Sequence, residues 1–295
     1  MAKTIEEKTV KHISTTSIIA NLLLSIFKFL AGIFGHSEAL VSDSIHSLSD
    51  VFSTIIVIIG IKVSSKAADN HHQYGHERFE SVTAVLLSII LAITGLGIGY
   101  SGLTKILEKS YLNAQLPTTI ALIAALTSII TKESMYWYTR FGAKKINSGA
   151  LMADAWHHRS DALSSVGSLI GIIGAINGFP ILDPIATLVI CIFILKAAYD
   201  IFIDGINKMV DTALPSKILD NIRKEVMEVN GVKDIDLLKT RQFGNKSYVD
   251  VEISVDGNLR LEDAHKIAAK VHHNIENKIP NVKHCMVHVN PYKEN

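Results

Sequence analysis

Six long apolar runs occupy the first two-thirds of the chain, at about 13–34, 39–62, 80–104, 117–139, 149–177 and 184–205. Each holds roughly 20 or more residues, the length at which a helix rising 1.5 Å per residue crosses a hydrocarbon layer of about 30 Å. The pattern predicts an α-helical membrane protein with six transmembrane helices. The six prolines fall at or near element ends, where a residue without an N–H is tolerated. Asp183-Pro184 predicts an N-cap followed by proline at the first helical position of the sixth run.

After Pro215 the continuous runs give way to shorter, periodic ones. Ser216–Val229 has the pattern of an amphipathic helix. Val232–Phe243 and Ser247–Val255 alternate as strands, with Gly244-Asn245 at the turn between them. Leu261–Ile279 is a second helix, with Glu262 and Asp263 in its first turn, and Val282–Val289 a last strand. The order αββαβ predicts a cytoplasmic α+β domain of ferredoxin-like type. The expected division is an N-terminal segment 1–12, a membrane domain 13–205, a linker 206–215 and a regulatory or dimerisation domain 216–295. A domain of about 80 residues buries little surface alone, so docking or dimerisation is expected.

Composition narrows the class. The chain is 48% hydrophobic and 19% charged, with a net charge of +1. A balanced charge gives no field that would draw nucleic acid. Cys191 and Cys285 lie in unrelated segments and make no disulfide framework. Residues 1–11 carry charges of both signs and no cleavage pattern, so the first run is expected to be a retained span. Lys3, Lys8, Lys11, Lys62, Lys66, Arg78, Arg140, Lys144 and Lys145 fall on one side of the predicted spans, against Lys105 and Lys109 on the other. That bias puts both termini in the cytoplasm of a protein integral to the plasma or inner membrane. Gly97 to Gly102 matches a dinucleotide fingerprint in letters, but no strand precedes it. These glycines, with Gly95, Gly167 and Gly171, are expected to let helices approach closely.

Two of the apolar runs carry the same polar motif. Asp43-x-x-His46-x-x-x-Asp50 lies in the second and Asp154-x-x-His157-x-x-x-Asp161 in the fifth. Steps of three and four residues align each set on one helical face. An Asp in mid-membrane costs about 2.5–3.5 kcal/mol on insertion scales, so the four need a partner. Two imidazoles and two carboxylates from antiparallel helices can close a tetrahedron that suits Zn2+. Mg2+ and Ca2+ prefer six or more oxygens, while Mn2+, Fe2+, Co2+ and Cd2+ remain open. The competing reading is that these residues only hold helices together. Asp154 is expected on the cytoplasmic approach and Asp43 on the outer exit. His158 and Arg159 flank the second motif on another face, in a structural or snorkelling role.

Two further groups stand outside the spans. Asp69, His71, His72 and His76 crowd the second connection, either as a second zinc site or as a polar loop at a helix start. In the tail, Asp250 and Glu252 share a strand face. With His265 and His288 they form a candidate site or, equally, a solvated acidic surface. His272, His273 and His284 have no partner pattern and are expected to be surface residues.

The six spans, the paired motifs, the Asp/His loop and the αββαβ tail resemble the cation diffusion facilitators over essentially the full chain. The resemblance implies a homodimeric antiporter in the lipid bilayer that exports divalent metal in exchange for protons. On that resemblance His46, Asp50, His157 and Asp161 are the transport site and Asp69, His72 and His76 the loop site. Arg78 and Asp211 take the places of a basic–acidic interlock at the dimer interface. Asp236, Glu252 and Asn290 depart from the tail pattern of the family, which implies a single site from Glu252, His265 and His288, with Asp250. Zn2+ is the expected cargo and a possible regulatory ion. Metal binding to neutral His and ionised Asp releases protons, so one site can carry metal and protons in turn. Two other classes compete: an intramembrane metalloenzyme and a metal receptor. No His-Glu-x-x-His is present, and four ligands leave no open position, so no enzyme is expected.

Overall fold

A computed structural model describes residues 2–34, 38–110, 119–179 and 181–292. The chain divides into two units, Met1–Gly205 and Ile206–Asn295.

The first unit is a helical bundle of α1 (Ala2–Phe34), α2 (Glu38–Ser64), α3 (Arg78–Leu107), α4 (Thr119–Ile146), α5 (Gly149–Ile176) and α6 (Leu182–Asn207). Every run expected to be a span is a helix, but the helices overrun the apolar stretches. The segment expected to precede the first span is helical from Ala2, and Val10 and Ile13 are buried in the bundle core. The end of α4 lies beyond the expected 139 and carries Arg140, Lys144 and Lys145. At α6 the helix begins at Leu182, so Pro184 sits inside the first turn rather than at its first position; the N–H it lacks would be unpaired there in any case.

The bundle buries polar side chains beside its apolar core and leaves many large apolar ones exposed. Asn21, Lys28, Asp50, Thr54, Lys132, Asp154 and His158 are all buried. Leu23, Phe29, Phe52, Ile93, Leu96, Ile130, Phe141, Ile192 and Phe193 are exposed. In water this distribution is unfavourable, since apolar surface is left wet and polar groups are desolvated. In a bilayer it reverses sign. Two of the described stretches, Lys8–Ala31 and Arg78–Leu107, are long and apolar enough by composition alone to cross a membrane. In α2, α4 and α5 the apolar run is broken by Asp50, by Lys132 and Glu133, and by Asp154, Arg159 and Asp161.

Glycines of α3 leave room for side chains of α6. Gly95, Gly99 and Gly102 face Ile194, Cys191 and Thr187 of α6, and a Cβ at Gly95 would stand 2.9 Å from Ile194. Gly97, on the opposite side of the helix, meets nothing within 4 Å.

The second unit contains α7 (Ser216–Met227), β1 (Asp234–Phe243), β2 (Lys246–Val255), α8 (Leu261–Lys278) and β3 (Val282–Pro291). This is the expected αββαβ order. The sheet order is β1-β2-β3, with β1 antiparallel and β3 parallel to β2. Parallel pairing of β2 and β3 requires a crossover, which α8 supplies. Ile222 and Val226 of α7, Val271 and Ile275 of α8, and Val249, Val251, Ile253 and Cys285 of the sheet form its core. Gly244 takes φ 61° at the β1–β2 turn. The expected linker, 206–215, is bonded to this unit: Gln242 donates its N–H to the Thr212 carbonyl at 2.9 Å, and Leu214 N–H donates to Thr240 Oγ1 at 3.0 Å.

Candidate metal centres

Steps of three and four residues along α5 bring Asp154, His157 and Asp161 to the side that faces α2. Asp50 meets them there: His157 Nε2 lies 3.2 Å from Asp50 Oδ1. Ligand atoms of Asp50, His157 and Asp161 all lie within 4.8 Å of one another, and their side chains are 2%, 10% and 8% exposed. A four-coordinate ion with bonds of about 2.0–2.1 Å needs ligand–ligand edges of about 3.3 Å, which side-chain movements of an ångström reach from here. The side chains of His46 and Asp43 lie outside the described residues; the backbone puts His46 one helical turn before Asp50.

The site already contains a cation. Lys132 of α4, 1% exposed, donates from Nζ to Asp161 Oδ2 at 2.9 Å and to Asp50 Oδ2 in a short contact. One ammonium thus bridges the two carboxylates that belong to different motifs. A second buried lysine, Lys28 of α1, donates to Ser47 Oγ at 2.9 Å on the face of α2 beside the site. Neither lysine belongs to the repeated Asp/His motif. The same rule applies to them: an ionisable residue inside an apolar run (Ile129-Ile130-Thr131-Lys132) marks a functional position.

Asp154 lies apart from this cluster. It is fully buried, accepts a hydrogen bond from Thr54 Oγ1 at 3.3 Å, and stands 3.7 Å from His158 Nε2. His158 is also fully buried, which removes the snorkelling role for it. Arg159 does have a structural place: its guanidinium sits 4.3 Å from the Tyr136 ring centroid and 3.7 Å from Glu133.

In the α2–α3 connection, Asp69, His72 and His76 converge. Asp69 Oδ1 is 3.5 Å from His72 Nδ1, and its Oδ2 is 3.4 Å from His76 Nε2. The backbone N–H groups of His72 and His71 donate to the same carboxylate at 2.7 and 2.9 Å. The His72 amide, first among these contacts, holds the Asp69 carboxyl below its usual range. His76 Nδ1 lies 3.1 Å from the Ala67 carbonyl, which only accepts, so Nδ1 carries a hydrogen and Nε2 is the ring atom turned toward Asp69. His71 contributes its backbone and is absent from the cluster.

The expected tail set does not gather within one chain. Asp250, Glu252 and His288 alternate with core-facing Val251, Ile253, Val287 and Val289, so they stand on the outer face of the sheet. His265 stands on α8, which packs against the other face. On the outer face Asn290 donates to Asp236 at 2.9 Å and to Glu252 at 3.4 Å. Bonds from Asn290 and Ser254 hold the Asp236 carboxyl below its usual range. Arg78 and Asp211 belong to different units.

The cation efflux transmembrane domain family matches residues 14–210, and the cytoplasmic domain of cation efflux proteins matches residues 214–292. The chain is a cation diffusion facilitator. This facilitator is 37% identical over 273 residues to an uncharacterized transporter of Methanocaldococcus jannaschii, covering 92% of this chain and 95% of that one. It is 30% identical over 295 residues to the manganese efflux system protein MneP of Bacillus subtilis, covering 98% of each. The solved MamM-CTD structure shares 25% identity over 26% of this chain and 98% of that chain, with a TM-score of 0.26. As a member of the family, the facilitator is a membrane transporter for divalent metal cations and not an enzyme.

Proposed function

We propose that this facilitator exports Zn2+ from the cytoplasm in exchange for protons, as a homodimer whose chains each cross the plasma membrane six times with both termini inside. The observation that carries the reading is the convergence of Asp50, His157 and Asp161 from α2 and α5 in a buried pocket. His46, on the same helix as Asp50, supplies the fourth ligand, and two N and two O donors favour zinc. Asp154 serves the cytoplasmic approach and Asp43 the outer exit. Asp69, His72 and His76 bind a second ion in the cytoplasmic loop.

Lys132 gives the cycle a metal-free state. Its ammonium sits between two carboxylates that would otherwise repel and offsets one of their two charges, so an arriving ion must displace it. Metal, protons and the lysine thus compete for the same two carboxylates. Manganese is the second reading, favoured by the relationship to MneP over 98% of both chains.

The test is flux into proteoliposomes with an imposed pH gradient, for zinc and for manganese, with wild type and Asp161→Ala. Gradient-driven zinc flux lost in the variant supports the proposal. Manganese flux with little zinc keeps the mechanism and replaces the ion. Zinc flux that ignores a collapsed gradient removes proton coupling, and binding without flux of either ion makes the protein a receptor.

A further inference from the structure

We propose that the cytoplasmic domain holds a transition-metal site of its own, built from His272, Glu276 and His284. These residues belong neither to the expected tail set nor to the transport site, and the sequence pattern leaves His272 and His284 as ordinary surface. Folding brings them together. His272 and Glu276 are four residues apart on one face of α8, and His284 is on β3, which α8 packs against. Their ligand atoms all lie within 4.8 Å of one another. His272 Nε2 is 3.3 Å and His284 Nδ1 3.1 Å from the same carboxylate oxygen, Glu276 Oε1. Those separations match the roughly 3.3 Å edge of a tetrahedron with 2.0–2.1 Å bonds.

The surroundings orient the ligands as metal sites require. His272 Nδ1 lies 2.7 Å from the Cys285 carbonyl oxygen. A carbonyl only accepts, so Nδ1 carries a hydrogen and Nε2 is the ring atom turned toward Glu276. That contact is an ion pair when Nε2 holds a proton, and a metal cation that replaces the proton takes the same lone pair. Glu276 is itself fixed, since Cys285 N–H donates to Oε1 at 3.0 Å. The backbone of a single residue, Cys285, therefore positions two of the three ligands. Its thiol takes no part: it is buried in the domain core and pushed up to about 12 by that burial.

The three side chains are 30%, 28% and 46% exposed, so a cytoplasmic ion reaches them directly and water can complete the coordination. Two imidazoles and one carboxylate suit Zn2+ and other nitrogen-seeking divalent ions rather than Mg2+ or Ca2+. An ion here clamps α8 to β3. The site stands on its own geometry and does not depend on transport.

The test counts zinc bound to the full chain by equilibrium dialysis, in a background carrying Asp161→Ala and Asp69→Ala to remove the other two clusters. One zinc per chain is expected. His272→Asn with His284→Asn should weaken that binding at least ~10-fold, while His273→Asn, whose ring bonds its own helix at Ala269, should leave it unchanged. Zinc should also raise the unfolding temperature of the background chain and not that of the double variant, with the zinc-free transition of the two alike. Undiminished zinc in the double variant, or loss on His288→Asn instead, would overturn the site. Flux plays no part in the readout, so its failure is separate from failure of the transport proposal.

Discussion

Replacing Lys132 by Met should destabilise the metal-free transporter and tighten its hold on metal. The substitution keeps most of the side-chain volume and removes the ammonium. The Asp50 and Asp161 carboxylates, 2% and 8% exposed, then share a pocket without the cation that bridges them. Removing one partner of a buried ion pair costs about 3–5 kcal/mol, because the charge left behind is desolvated and uncompensated. In the native protein an entering metal must displace that same interaction. Its removal therefore returns a comparable free energy to metal binding, and the lower end of the range corresponds to on the order of 100-fold in Kd. The assay is thermal unfolding of the full chain in nanodiscs with and without zinc, together with zinc titration calorimetry at fixed pH. The Met variant should unfold at lower temperature without metal, gain more from zinc, and bind it more tightly. Lys132→Arg, which keeps the charge, should bind no more tightly than the native protein. Equal or weaker zinc affinity in the Met variant would refute the reasoning, since Lys132 would then support the metal-bound site rather than compete with it.

Two further outcomes follow from the loop and the helix contacts. The Asp69 carboxyl is depressed in the folded loop, so its contribution to order is present above the ordinary aspartate value of 3.8 and lost as pH falls through the lower folded one; exchange protection of the His71 and His72 amides should hold at that value and vanish only below it, and loss well above it would contradict the bonding pattern. Gly99→Val drives a side chain into Cys191 of α6 and should cost about 1–3 kcal/mol by thermal unfolding, whereas Gly97→Val, facing open space, should cost less in the same measurement; equal effects would remove the close-packing role.

The hydrophobic pattern determined the element order throughout, because continuous apolar runs and short alternating ones bury different faces and cannot exchange roles. Motif spacing likewise aligned Asp43, His46 and Asp50 on one helix face, Asp154, His157 and Asp161 on another, and gathered Asp69, His72 and His76 in one loop, since a helix face and a short loop are both local in sequence; the repeat of the first pattern then paired its two helices. What lay beyond reach were contacts between distant elements that no repeated motif links. Lys132 stands 82 residues from Asp50, and no local spacing links them. His284 meets Glu276 only because α8 crosses back over the sheet and β3 runs parallel to β2. His265 is set apart from Glu252 and His288 for the same reason, since the pleat and the helix layer put them on opposite faces. Periodicity encodes which face of an element is buried. Which element it is buried against, and which charged side chain that neighbour brings, is decided by packing alone.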